Sequence, residues 1–142
     1  MSYFEIGIYH TKTESNVGTL WRSASQLGAA SIFTIGKRYH HQTSDTYKTP
    51  KHIPLRHYLT FDEFLYNRPF GSVLIGIEMG GTPLSKFTHP KQATYLLGAE
   101  DSGLPNEIIK QCNQIISLES VGQSSFNVSV VGSIVMYHRV YL

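Results

Sequence analysis

Apolar positions come in short blocks along this chain, and their period changes from block to block. Residues 4–9 (FEIGIY) form a nearly continuous apolar run and predict a first strand. A polar loop follows at residues 12–15. Val17, Leu20, Trp21, Ala24 and Leu27 then recur at helical spacing, with Ser15 or Asn16 able to cap the start and Gly28 a natural stop. Gly18, Arg22 and Ser25 fall on a different face of that helix. Residues 31–35 predict a second strand closed by Gly36, so the opening reads as one right-handed βαβ unit. Thr60 and Glu63 have the form of a capping box for a short helix carrying Phe61, Phe64 and Leu65. Residues 72–77 suit a strand buried on both faces of a parallel sheet, and EMGGTP (78–83) leaves it through two glycines. Residues 86–91 read as a polar connection.

The last third repeats the alternation. Tyr95 to Leu97 is apolar, GAEDSG (98–103) is a glycine-bounded turn, and Pro105 suits the first position of a helix. Ile115 and Ile116 predict another short strand. A Gly/Ser/Asn loop then leads into residues 126–139, whose β-branched content would suit a strand but whose length favours a helix, capped by Ser124 or Ser125. Apolar nearly all round, this helix requires burial nearly all round. Its small-residue stripe of Ser129, Gly132, Ser133 and Met136 permits close approach by another element, and its character suggests a partner subunit. In an open parallel sheet ligands bind beyond the carboxyl ends of the strands, so the Gly- and Ser-rich loops are the place to look.

Composition narrows the class. The chain has 142 residues, 41% of them hydrophobic and 15% charged, which suits a single globular domain over 1–142. No apolar run reaches the roughly 20 residues of a membrane helix, and the amino terminus lacks the pattern of a signal peptide. Cys112 is the one cysteine, which excludes an internal disulfide and fits a reducing, cytoplasmic setting. Net charge is only +2, so any surface for nucleic acid must be local. Residues 37–58 supply one. Lys37, Arg38, Lys48, Lys51 and Arg56 stand there against Asp45, with His40, His41, His52 and His57 and three tyrosines interleaved. Cations suit phosphates and rings suit stacked bases; the other reading is a solvated loop with incidental charge. A zinc site is disfavoured, because no cysteine supports the histidines and their spacing matches no zinc pattern. No G-x-G-x-x-G opens a helix and no Walker-type loop occurs.

Three segments carry a resemblance. NVGTLWRSASQLGA (16–29), GAEDSGLP (98–105) and SSFNVSVVGSIV (124–135) resemble, in that order, motifs 1, 2 and 3 of the SpoU/TrmH branch of the SPOUT RNA methyltransferases. The resemblance spans residues 16–139. It implies an α/β parallel-sheet fold with a carboxy-terminal trefoil knot, S-adenosylmethionine as cofactor, and methylation of a ribose 2′-hydroxyl in RNA, tRNA before rRNA. It implies a homodimer paired through the last helix and the motif 1 helix, without membrane or metal. Cofactor contacts would fall at Ile77, Gly98, Glu100, Gly103, Ser117, Leu118 and Ser125, and catalytic ones at Arg22, Asn16, Ser125, Asn127 and Glu100. Glu100 stays open between a catalytic acid and a carboxylate that holds a loop.

One departure stands out: many relatives carry Ile-Pro-Met where this chain has Ser117, Leu118 and Glu119, which would make the adenine rim more acidic. On this reading the amino-terminal RNA-binding domain of many relatives is expected to be absent, and the chain resembles minimal members, some of which methylate the wobble nucleotide of tRNA. The alternatives are a base-modifying enzyme of the same fold, a catalytically silent RNA-binding module, and an unrelated nucleotide-binding domain.

Overall fold

The computed structural model describes residues 2–36, 53–122 and 126–142. Strands β1 (Tyr3–Tyr9) and β2 (Ser31–Ile35) flank helix α1 (Glu14–Leu27). Strand β3 (Leu55–Tyr58), helix α2 (Phe61–Asn67) and the long strand β4 (Val73–Pro83) follow. Strand β5 (Gln92–Leu97), the single-turn helix α3 (Asn106–Ile109), strand β6 (Gln114–Ser117) and helix α4 (Val128–Tyr141) complete the order. The six strands form one sheet in the order β3-β2-β1-β5-β4-β6, and every pairing is parallel.

Alternation along the strands builds a core on each face. Phe4, Ile6 and Ile8 point to one side and pack with Leu20 and Trp21 of α1 and Val135 and Met136 of α4. Phe33, Ile35, Leu74 and Leu96 point to the other and pack with Phe61 and Phe64 of α2 and Ile108 of α3. Phe33 and Phe64 stack with centroids 4.7 Å apart. Each such fully buried side chain contributes at most about 1.5–3 kcal/mol through removal of apolar surface from water.

Several expectations needed correction. Helix α1 starts at Glu14 with Thr13 as the cap, so Ser15 and Asn16 lie inside its first turn; Gly28 ends it as expected, at φ 86°. Residues 55–58, read as part of a basic loop, pair with β2, and Arg56 sits exposed on this edge strand. A polar LRHY segment hides its strand character because an edge strand has only one paired side. EMGGTP does not leave the sheet: β4 runs on to Pro83, with the register against β6 jumping between Ile77 and Thr82. The cap of α4 is Asn127 rather than Ser124 or Ser125, which lie outside the described residues. That helix is not buried all round within one chain, since Val130, Ile134, Tyr137 and Tyr141 remain exposed along one stripe. The small-residue stripe has a partner inside the chain. A Cβ at Gly132 would lie 2.5 Å from the Leu20 side chain, and Ser133 Oγ donates to Ser23 Oγ at 2.9 Å, so the stripe brings α4 onto α1.

Candidate functional site

The sheet reverses its winding at β1 and β5. The chain moves outward from β1 to β2 and β3, then returns on the other side through β4, β5 and β6. Loops leaving the carboxyl ends of β1 and β5 therefore emerge side by side, the place where open α/β sheets bind ligands. The residues of interest collect here.

Glu100, in the turn after β5, reaches the loop after β1. Its Oε1 accepts from Thr11 Oγ1 at 3.0 Å, and its Oε2 accepts from the Lys12 N–H at 3.0 Å and from Thr13 Oγ1 at 3.5 Å. The neighbouring Asp101 pairs with Lys12 Nζ at 2.5 Å. Both partners are exposed, so that pair adds little stability, although each holds the other in its charged form: Lys12 is pushed up and Asp101 down.

Asn16 is buried in the first turn of α1. Its Oδ1 accepts from Asn127 Nδ2 at 3.1 Å, joining residues 111 apart. Asn127 uses the rest of its amide as the cap of α4. Its Oδ1 accepts from the N–H groups of Ser129 (2.9 Å) and Val130 (3.3 Å) and from Ser129 Oγ (2.6 Å). An amide has one acceptor oxygen and one donor nitrogen, and both are engaged in the directions their chemistry demands. Arg22 lies half-buried six residues beyond Asn16 on the same helix, ~9 Å further along the axis.

The remaining loops line up beyond β4 and β6. Ile77 is buried at the last regular pair before the register break, and residues 78–81 step out of the ladder with β6. Glu78 Oε2 accepts the Leu104 N–H at 2.6 Å, tying the irregular part of β4 to the loop after β5. Gly103 (φ 67°) faces that carboxylate, and a Cβ there would come within 2.4 Å of it. Gly98 is more constrained still: its Cβ would lie 2.4 Å from the Gly103 carbonyl carbon. The two glycines are thus required by the loop's own backbone, besides anything the loop binds. Ser117 Oγ donates to the Gly81 carbonyl at 3.1 Å, while Leu118 packs against the core. Glu119 is engaged as well. It accepts the Ser85 N–H at 3.2 Å and the Ser85 hydroxyl through a short bond, and these bonds hold its carboxyl below the usual range. The acid that departs from the family pattern therefore holds the turn at Ser85.

Of the residues singled out in the sequence, Asn16 and Asn127 are bonded to each other and Glu100 holds the segment just before α1, Arg22 lies further along α1, and Ile77, Gly98, Gly103, Ser117 and Leu118 line the strand ends. Ser125, Lys37, Arg38, Lys48 and Lys51 lie outside the described residues. Among the described residues, no group of three or more His, Cys, Asp or Glu is placed to hold a metal ion, and no helix is long and apolar enough to cross a membrane. Thr11, Thr13 and Glu78 were missed in the sequence. Polar residues in a presumed loop carry no periodic signal, and their partners lie 26 to 89 positions away.

Comparison with known proteins bears on the family and the fold. Residues 3–137 match the model of the SpoU rRNA Methylase family. An uncharacterized tRNA/rRNA methyltransferase of Archaeoglobus fulgidus is 25% identical over 130 residues, covering 87% of this chain and 58% of that protein. The AdoMet complex of the SpoU methyltransferase AviRb from Streptomyces viridochromogenes superposes with a TM-score of 0.87 at 21% identity, over 98% of this chain and 57% of the other. A structure described in terms of 2′-OH methylation of C/U34 on tRNA superposes at 0.84 with 21% identity, over 97% of this chain and 94% of that one. The chain thus spans somewhat over half the length of the first two.

Proposed function

The chain belongs to the SpoU rRNA Methylase family, and from that premise we propose that it methylates a ribose 2′-hydroxyl of RNA, with S-adenosylmethionine as donor. The observation that carries this reading is the Asn127–Asn16 hydrogen bond of 3.1 Å. It draws the third motif onto the first, beside the loop that the second motif's Glu100 holds. tRNA is the favoured substrate, because the relative described for C/U34 is matched over 94% of its own length.

The loops fit such a cofactor. Residues 78–81 leave the ladder with β6, and although the Gly81 carbonyl still accepts from Ser117, the backbone of 78–80 would be available to a ligand. Ile77 and Leu118 supply apolar surface at the same strand ends. Backbone of the loop at 98–103 and the start of α4 would complete the cradle. The bound cofactor supplies an electrophilic methyl group on a sulfonium.

The protein's task is then placement and charge. Asn16, its oxygen held by Asn127, keeps its amide N–H groups for the ribose. Ser125, two positions before Asn127 in the sequence, would orient the ribose or the cofactor carboxylate together with Asn127. Arg22 would act as a cation that clamps the phosphate next to the target ribose and stabilises the negative charge developing on the 2′-oxygen, whose proton would pass to solvent water. A guanidinium suits that role better than that of a general base. Arg56, exposed on β3, extends a basic RNA surface with Lys37, Arg38, Lys48 and Lys51. The protein pairs through the exposed stripe of α4 and a groove of about 440 Å³ between α1 and α4, lined by Thr19, Leu27, Val130, Ile134 and Tyr137. A trefoil knot and a reducing cytoplasmic setting for Cys112 belong to the same reading.

The test is nucleoside mass spectrometry of tRNA and rRNA incubated with protein and S-adenosylmethionine. A 2′-O-methyl nucleoside from tRNA is expected. Arg22→Ala should lower turnover by about 10²–10³-fold, the scale set by removing one transition-state contact, with cofactor affinity kept. A methylated base would replace the reading by base modification, and wild-type turnover in Arg22→Ala would remove the arginine from the mechanism.

A further inference from the structure

We infer that Glu100 is a positioning residue: it holds segment 11–13, from which α1 departs, and so sets Asn16 and Arg22 against the loop after β5 without touching RNA or cofactor. The inference rests on the methyl-transfer reading for its effect on turnover, but the contact itself stands apart from it. Three donors from one short segment meet the two oxygens of this carboxylate. Thr11 is itself buried at 3% exposure, so its hydroxyl has no bulk water as an alternative partner. Thr13 is the second sign. As the cap of α1 its hydroxyl would ordinarily accept a helix N–H, yet it makes no such bond and is turned toward Glu100. The helix start is therefore oriented by the acid of another loop in place of its own cap. The segment also begins under strain, since His10 holds φ 52°, a conformation costly for a residue with a side chain. A carboxylate near the amino end of α1 is electrostatically favourable as well.

An acid in this position differs from a general base in one respect that can be measured. A base needs a lone pair free for the substrate proton, whereas here the oxygens are occupied by fixed donors. Glutamine keeps a carbonyl oxygen for Lys12 and an amide that Thr11 can accept, so it should preserve most of the contact while abolishing proton transfer.

The experiment compares Glu100→Gln, Glu100→Ala and Thr11→Val in the full chain. Hydrogen exchange of the Asn16 and Val17 amides, the first with acceptors in the helix, measured without RNA or cofactor, should quicken about tenfold or more in Glu100→Ala and Thr11→Val, and less in Glu100→Gln, as the opening of this turn becomes easier. On methylated RNA, kcat should fall about 10- to 100-fold in Glu100→Ala with cofactor affinity within about twofold, the scale of an ångström-sized misplacement. Glu100→Gln should recover to within about fivefold of wild type with an unchanged pH profile of kcat, since no proton passes through the residue. The double variant Glu100→Ala/Thr11→Val should be no slower than Glu100→Ala alone, because both remove one contact. Glu100→Gln as slow as Glu100→Ala, or an acid limb of the pH profile lost in Glu100→Gln, overturns the inference in favour of a catalytic acid. Unchanged exchange at Asn16 and Val17 in Glu100→Ala overturns it outright. If wild type methylates no RNA, the methyl-transfer reading fails and the exchange data alone decide the contact.

Discussion

At the scale of single residues, Asn127 shows how much one amide can fix. It caps α4 with its oxygen and ties α1 with its nitrogen. The two jobs separate by substitution. Asn127→Ala removes both and should lower stability by about 0.5–2 kcal/mol, the usual cost of a lost cap. Asn127→Asp keeps the cap oxygen and should stay within about 0.5 kcal/mol of wild type, because both residues cap equally well. Yet its carboxylate offers no donor to Asn16, so Asn16 must turn its amide round and present its oxygen to the site. Turnover should fall in both variants while chemical denaturation sets them apart; full activity in Asn127→Asp would show that the tie does not matter to chemistry. This residue also marks a limit of legibility. In SSFN each polar side chain can cap a helix, and the choice among them is made by Asn16, more than a hundred positions away. The box at Thr60 and Glu63 was legible because it is closed locally: Thr60 Oγ1 accepts the Glu63 N–H at 3.1 Å, and Glu63 in turn accepts the Leu59 N–H at 2.8 Å.

At the scale of elements, strands and helices with strong apolar periods were readable, and those defined by partners were not. β1, β2 and α1 declare themselves by period, whereas β3 is recognisable only by its pairing with β2. The same contrast runs round α4. One of its faces answers to α1, where Gly132 is crowded by Leu20 and Leu97. The other carries Val130 (44% exposed), Ile134 (37%), Tyr137 (53%) and Tyr141 (63%), spaced four, three and four apart. Substitutions on the two faces should therefore fail differently. Ile134→Asp should leave circular dichroism and melting nearly unchanged and convert a dimer to a monomer in sedimentation, through a charge buried at the interface. Gly132→Val should destabilise the chain itself by about 1–3 kcal/mol, the cost of overpacking. A dimer persisting in Ile134→Asp at micromolar concentration would move the pairing surface elsewhere.

At the scale of the whole molecule, the far end of α4 is anchored through a polar network that motif reading did not reveal. Arg139 donates to the carbonyls of Pro90 (2.7 Å), Lys91 (2.9 Å) and Tyr3 (3.3 Å), to Ser2 Oγ (3.0 Å) and to the hydroxyl of the fully buried Tyr95 (3.1 Å). Accepting the Arg139 hydrogen bond leaves Tyr95 to donate its own hydroxyl hydrogen to His89 Nδ1, at 2.6 Å, and His89 Nε2 then donates to His138 Nδ1 at 2.8 Å. A second proton on His89 would face Tyr95 with two donors. Burial foremost, then His138 and Arg139, push the His89 pKa down to about 4. The folded state therefore resists a proton that the unfolded chain accepts near pH 6.5, so this contribution is complete above about 6.5 and is lost as pH falls toward 4. Glu5 acts in the opposite sense, its carboxyl raised by burial despite bonds from Ser31 and Thr94. The urea midpoint should be lower at pH 5 than at pH 7.5, and His89→Gln should flatten that difference; an equally steep slope in the variant would assign it to other groups.

The strand order has a consequence in time. β1 lies in the middle of the sheet, with β2 on one edge and β5, which ends 88 residues after β1, on the other. At a synthesis rate of ~5–20 residues per second, that second edge stays open for roughly 4–18 s after β1 is made. Through that interval FEIGIY presents an apolar, unpaired strand edge, the kind of template that recruits other chains. The non-local pairing that brings the site together also makes the nascent chain slow to close, and dependent on its last third to hide its first strand.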